Sequence, residues 1–131
     1  MNRERLNTLR TLFEDLPDER VDMRFWMTDL AADKPHESLL AGRPDFTQIK
    51  HDCGTAGCIA GWTLSMWPPR AKSFEGTYQQ VFDLAQKRLG LTDDQAVELF
   101  TPDGYQIPGV FTRDRAIGAI DSLLETGEVQ W

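Results

Sequence analysis

The sequence predicts a mainly α-helical fold: a compact single domain, spanning residues 1–131, with four to six helices and at most a minor two-stranded extended element. Three observations support this prediction. Apolar residues recur at helical spacing in several segments, threonines and glycines stand where helices begin and end, and long alternating runs typical of strands are missing. With 40% hydrophobic and 27% charged residues, the composition is that of a globular protein.

The first helix is predicted over residues 2–16, where Leu6, Leu9 and Phe13 share one face and Pro17 ends the periodic pattern. Residues 21–27 alternate and then become apolar, which indicates a short strand or extended segment. Residues 28–50 show little periodicity and are predicted to form a long loop, with one helical turn at residues 36–41.

Three further helices follow in the second half of the chain. Thr77 and Thr92 each precede a glutamine by three residues, a capping-box spacing that predicts helices over residues 77–89 and 92–100. Thr112 caps the last helix, whose apolar stripe is the strongest in the chain. Gly90 and Gly127 are expected to end helices in the left-handed conformation. Beyond Gly127, an apolar tail containing Val129 and Trp131 is predicted to fold back on the core.

The most unusual segment is residues 51–62, which hold both cysteines, one of two histidines and three of ten glycines. Thr55 is predicted as the N-cap of a helix that opens at Ala56 and stops before Pro68-Pro69. Gly57 and Gly61, four residues apart, would then form a bare stripe. Because glycine costs about 1 kcal/mol relative to alanine inside a helix, the stripe predicts another backbone lying too close for a Cβ.

This segment carries a resemblance. The pattern Cys-Gly-Thr-x-x-Cys-x-Ala-Gly-Trp, together with Leu-Gly-Leu at 89–91, Leu-Phe at 99–100 and Thr-Gly-x-Val-x-Trp at 126–131, resembles a family of small bacterial and bacteriophage proteins with no assigned function. The resemblance extends from about Phe25 to the C-terminus. It implies a bacterial or phage origin and one intracellular domain, and it implies no activity, cofactor or catalytic residue.

The charge distribution limits the classes of partner. The net charge is −7, and residues 91–131 hold 2 Lys/Arg against 8 Asp/Glu. Phosphate backbones require the opposite sign, so we expect no direct nucleic-acid binding. An acidic face suits a basic protein partner or solubility. No apolar run has the length of a membrane span, and no secretory signal follows Met1, so we expect a cytoplasmic protein that does not enter the membrane.

Two chemical hypotheses centre on the cysteines. His51, Cys53 and Cys58 are zinc-ligand types, but a structural site needs four ligands and no fourth is close in sequence. Cys53 beside a helix N-terminus, with Gln48 upstream, is similar to the start of papain-like cysteine peptidases, and His51 is a candidate base. Those enzymes take their base from a histidine well after the cysteine, and none follows residue 51 here. Buried, inert thiols are the simpler interpretation.

Two binding hypotheses remain. Backbone N–H groups of the turn, with Gly54, Thr55, Gly57, Cys58 and Trp62 as its candidate binding residues, could hold an anion. Helices flanking Gly90 resemble a helix-turn-helix, but the second would expose three acids and no base, which argues against DNA binding.

We therefore predict a non-enzymatic accessory or regulatory protein without a cofactor, which contacts a protein partner through an acidic, aromatic-bearing surface. Trp67 or Trp131 beside the acidic helix would supply the aromatic part. The alternatives are a thiol-dependent hydrolase centred on Cys53, and anion or metal binding at the glycine-rich turn. Neither the partner's identity nor the oligomeric state follows from the sequence.

Overall fold

A computed structural model describes residues 1–29, 55–70 and 74–131. The described chain forms, in order, α1 (Arg3–Asp15), a 3₁₀ turn (Asp18–Arg20), β1 (Met27–Asp29), β2 (Thr55–Gly57), α2 (Ile59–Met66), α3 (Tyr78–Leu89), α4 (Asp93–Phe100) and α5 (Arg113–Thr126). The mainly α-helical prediction with a minor two-stranded element is confirmed. The predicted loop over 28–50 and its helical turn at 36–41 lie outside the described residues, apart from the first two positions.

The predicted helix ends are largely confirmed. Thr77, Thr92 and Thr112 each accept a hydrogen bond from the backbone N–H three residues later. Only Thr92 has the full capping box, because the side chain of Gln80 accepts from the N–H of Glu75 instead of returning to the cap. The glycines that follow α3 and α5, Gly90 and Gly127, have φ of 64° and 79°, in the left-handed region that glycine enters without strain.

The extended element differs from its prediction at both ends. The strand near residues 21–27 begins only at Met27, and the backbone before it contributes an isolated bridge from Val21 to Gly57. β1 pairs antiparallel with β2, with Met27 opposite Gly57 and Asp29 opposite Thr55. The prediction that Thr55 caps a helix opening at Ala56 was therefore wrong. Residues 55–57 pair with β1, and the helix starts at Ile59 instead of Ala56.

The core surrounds α2. Seven of its eight residues, Ile59 to Ser65, are buried, and the helix packs against α3, α1 and α4. α1 packs in turn against α5, where Arg10 pairs with Asp121. The short α2 is thus buried on all sides, and the hydroxyls of its two polar residues, Thr63 and Ser65, donate to backbone carbonyls of the same helix.

The C-terminal tail returns to the core as predicted. Val129 and Trp131 are partly buried and pack against the core cluster. The indole N–H of Trp131 donates to the backbone carbonyl of Glu98 at 2.7 Å, and its ring meets that of Phe111 edge-on with centroids 5.1 Å apart. These contacts hold the tail against α4 and the loop before α5.

Candidate functional site

The cysteine-glycine motif is built into the core at the point where β2 passes into α2. Cys58 is the N-cap of α2: its sulfur accepts from the N–H of Gly61 at 3.4 Å. Its backbone N–H donates to the carbonyl of Phe25 at 2.8 Å, and its thiol donates weakly to the carbonyl of Trp26 at 3.9 Å. The role assigned by sequence to Thr55 thus belongs to Cys58, which caps through sulfur rather than through a hydroxyl.

Both motif glycines admit a neighbouring backbone, as predicted, although Gly57 lies in β2 and only Gly61 in α2. A Cβ at Gly57 would lie 2.6 Å from the carbonyl oxygen of Trp26. A Cβ at Gly61 would overlap the same oxygen and lie 2.5 Å from the carbonyl carbon. Ordinary contacts of a Cβ begin at about 3.4 Å. The close segment is therefore the chain entering β1, and the two glycines enclose a single peptide group of it.

Cys58 has the environment of an inert thiol. Its side chain is fully buried, and burial raises its pKa to about 12, although backbone N–H groups, foremost that of Gly61, act in the opposite direction. The thiolate is the nucleophile and the metal ligand, so a thiol with this pKa supplies neither at neutral pH. Among residues 1–29, 55–70 and 74–131, no group of three or more His, Cys, Asp or Glu side chains is placed to hold a metal ion.

The remaining candidates divide into two groups. His51, Cys53 and Gly54 lie outside the described residues, so the hydrolase and the three-ligand metal site stay predictions, as does the binding role of Gly54. For Thr55 the structure gives only its place in β2. Gly57, Cys58 and Trp62 are buried, and solvent does not reach them.

Trp62 is a core anchor. Its side chain is fully buried, its indole N–H donates to the carbonyl of Arg20 at 2.9 Å, and the guanidinium of Arg20 lies 4.9 Å from the centre of its ring. Burying an indole requires a partner for its N–H, and the 3₁₀ turn provides it. The contacts of this predicted binding residue are therefore those of packing.

The two remaining tryptophans that the sequence proposed for a surface have different surroundings. Trp131 lies beside the acidic α4. The same part of the chain carries exposed apolar side chains: Val97 in α4 is 51% exposed, and Ile107 in the loop before α5 is 56% exposed. Trp67, by contrast, lies under the guanidinium of Arg5, 5.3 Å from its ring centre, in a basic environment. Only Trp131 fits the predicted acidic, aromatic-bearing surface.

We define the α4–tail surface as Val97, Ile107, Val110, Phe111 and Trp131 together with the exposed acids Asp93, Asp94, Glu98, Asp103 and Glu128. Observed contacts connect its aromatic residues to α4 and to the loop before α5. Trp131 touches Phe111 and is hydrogen-bonded to the backbone beside Val97. Phe111 and Ile107 approach each other around Gly104, whose φ of 82° turns the loop back. One cation, Arg115, lies over the Phe111 ring, 4.9 Å from its centre.

Sequence reasoning missed a second aromatic feature. Phe25, Trp26, Tyr78, Phe100 and Tyr105, with Met23 and Arg24, line a cavity of about 150 Å³ between the start of β1 and the N-terminal end of α3. Trp26 and Tyr78 have ring centroids 5.1 Å apart. These residues come from four separate stretches of the chain, so local periodicity could not bring them together.

Comparison of the chain with protein-family models, with curated proteins and with solved structures found no match. Within the described residues, no helix has both the length and the apolar character that crossing a membrane requires.

Proposed function

We propose that this protein is a small accessory or regulatory protein that acts by protein–protein contact through the α4–tail surface. One observation carries the proposal: exposed apolar side chains and a hydrogen-bonded tryptophan lie in residues 91–131, which also hold most of the net negative charge. Val97 and Ile107 are more than half exposed. Large apolar side chains left in water beside an ordered aromatic residue are typical of interaction sites.

The charge of this surface defines the chemistry of the partner. Five of the residues that define this surface are exposed acids, and in the described chain Arg115 is the cation placed over the Phe111 ring. The other arginine of this region, Arg113, turns away to Asp18, Asp114 and the carbonyl of Leu16. A basic protein segment with at least one apolar side chain complements this arrangement, since charge complementarity accelerates encounter and excludes acidic partners.

The fixed geometry of Trp131 favours a binding role. The hydrogen bond to Glu98 and the edge-on contact with Phe111 hold the indole in one orientation. An aromatic side chain already ordered before binding loses little conformational entropy when a partner covers it. Interaction sites commonly rely on such tryptophans for much of their affinity.

The test is affinity capture from the native host with matched variants. The surface variant carries Glu98→Lys, and the control carries Glu19→Lys, which makes the same charge reversal at an exposed position of the 3₁₀ turn. We expect a basic protein to be retained by the wild type and the control and lost by the surface variant. Its affinity, measured with the purified partner, should fall with rising salt. Capture that survives the surface variant, or disappears equally with the control, would contradict the proposal.

A further inference from the structure

A second surface of this acidic protein is basic. Arg5 near the start of α1, Arg70 after α2, and Lys87 and Arg88 in the last turn of α3 meet at two adjoining cavities. The smaller cavity, of about 330 Å³, is lined by Arg5, Arg70 and Arg88 with Met66, Trp67, Pro68 and Pro69. The larger, of about 460 Å³, shares Pro69, Arg70 and Arg88 and adds Phe74, Gln80, Asp83, Leu84 and Lys87. We call the two together the basic groove.

None of the four cations forms an ion pair in the described part of the chain. Other arginines do: Arg10, Arg24 and Arg113 each contact a carboxylate. In a chain of net charge −7, carboxylates are plentiful. Four neighbouring cations left without one create a local positive potential that favours an anion.

A structural role accounts for only part of these side chains. Arg5 donates to the carbonyl of Arg88 at 2.9 Å, and Arg88 donates to the carbonyls of Trp67 and Pro68 at 3.3 and 3.2 Å. These bonds satisfy the carboxyl ends of α3 and α2. A guanidinium has five N–H donors, so most donors of Arg5 and several of Arg88 remain for a ligand. The same bonds fix both half-buried guanidiniums in position before a ligand arrives.

The lining has a cationic end and a more apolar end. The smaller cavity contains three guanidiniums and no acid among its described lining residues. The larger offers Phe74 and Leu84, but also Asp83, which accepts from the side-chain amide of Gln79 at 2.7 Å. A negative group is therefore favoured at the smaller cavity, beside Trp67, and an apolar body at the larger. Both volumes are of the size that small organic ligands occupy.

We infer that the basic groove binds a small organic phosphate, a phosphate monoester carrying an apolar or aromatic body. Phosphate is favoured over a single carboxylate because the three guanidiniums of the smaller cavity match a dianion with three acceptor oxygens, and guanidinium forks bind such oxygens two at a time. The basic groove and the α4–tail surface share no residue, so a negative result at one of them does not contradict the proposal for the other.

Isothermal titration calorimetry with three probes tests the inference: 1-naphthyl phosphate, inorganic phosphate and 1-naphthol. We expect naphthyl phosphate to bind at least about tenfold more tightly than either other probe, because only it occupies both cavities. Equal binding of naphthol would show an apolar pocket without anion recognition. Equal binding of inorganic phosphate would show charge attraction alone. Absence of binding by all three probes would also overturn the inference.

Matched variants separate local contact from overall charge. Arg70→Gln removes an exposed cation with no hydrogen bond in the described chain, so the fold should be preserved. Arg24→Gln removes an arginine near Tyr78, at the other end of α3, about 15 Å away for ten residues of helix, together with the ion pair of that arginine to Asp22. We expect Arg70→Gln to weaken naphthyl phosphate binding about tenfold, and Arg24→Gln to leave it within twofold. Equal weakening by both variants would refute the site, and circular dichroism and thermal melting verify that both remain folded.

Discussion

Replacing Gly61 by alanine tests whether the glycine-rich motif exists to admit the backbone of Trp26. The added Cβ would overlap the carbonyl oxygen of Trp26 and lie 2.5 Å from its carbonyl carbon, so that the oxygen must retreat by about 2 Å to reach ordinary contact. Moving this peptide group would strain the neighbouring hydrogen bond, in which the backbone N–H of Cys58 donates to the carbonyl of Phe25 at 2.8 Å. Overpacking costs about 1–3 kcal/mol and a lost hydrogen bond about 1 kcal/mol more.

Because the displacement is large, we take the upper end of the overpacking cost and expect Gly61→Ala to destabilise the protein by about 3 kcal/mol, after the gain of up to about 1 kcal/mol from helix propensity is subtracted. Gly118→Ala is the matched control, since it makes the same change inside α5, where nothing lies within 4 Å of the added Cβ. It should stabilise by about 0.5–1 kcal/mol. Gly57→Ala should lie between them, because the side chain of Met27 can move but the Trp26 oxygen at 2.6 Å cannot easily do so.

Urea denaturation followed by circular dichroism at 222 nm measures the three free energies of unfolding, and thermal melting should show Gly61→Ala about 10 °C below the wild type. The decisive quantity is the difference between Gly61→Ala and Gly118→Ala. If both alanine variants fall within about 0.5 kcal/mol of the wild type, the packing argument fails.

Three further outcomes are expected. In the native protein, iodoacetamide should leave Cys58 unlabelled at pH 8 and modify it only after unfolding, as peptide mass spectrometry can verify; rapid labelling of the native protein would refute its inert environment. Because the pKa of Cys58 is about 12 in the fold and near 9 in an unfolded chain, only the unfolded state loses its proton between these values. This group should therefore leave the free energy of unfolding unchanged below pH 9 and lower it by up to about 1.4 kcal/mol per pH unit above pH 9. In urea titrations of the Cys58→Ser variant, we expect this decline to be smaller. Thr92→Ala removes a complete capping box and should lower the free energy of unfolding by about 1 kcal/mol. Thr77→Ala should lower it less, because the cap at Thr77 lacks the reciprocal hydrogen bond that the Gln95 side chain accepts from the N–H of Thr92. Equal losses of stability in urea denaturation would show that this hydrogen bond adds nothing.

The sequence alone was sufficient for the helices that carry local signals. α1, α3, α4 and α5 lie where apolar periodicity, threonine caps and glycine stops predicted them, because each signal acts between residues a few positions apart. The return of Trp131 to the core was also predictable, since an apolar tail after a helix stop has little alternative to burial. The density of glycines correctly indicated a close backbone approach.

The tertiary structure decided what lies against those glycines. Thr55 is a good cap by residue type, yet its backbone pairs with Asp29, and Cys58 takes over the cap. Strand pairing depends on segments far apart in sequence, whose meeting no local preference encodes. The aromatic cavity beside Trp26 depends on such distant meetings too.

The basic groove illustrates the same limit on the surface. Arg5 and Arg88 are 83 positions apart, and they meet because α1 starts where α3 ends, with the N–H of Asn2 bonded to the carbonyl of Leu89 at 2.8 Å. Residues 91–131 hold 2 Lys/Arg and 8 Asp/Glu, a balance of −6 in a chain of net charge −7, so residues 1–90 are nearly balanced at −1. These totals could not show that cations of the balanced part would converge at one place, because a sum over the chain contains no distances, and electrostatic potential is set by distance.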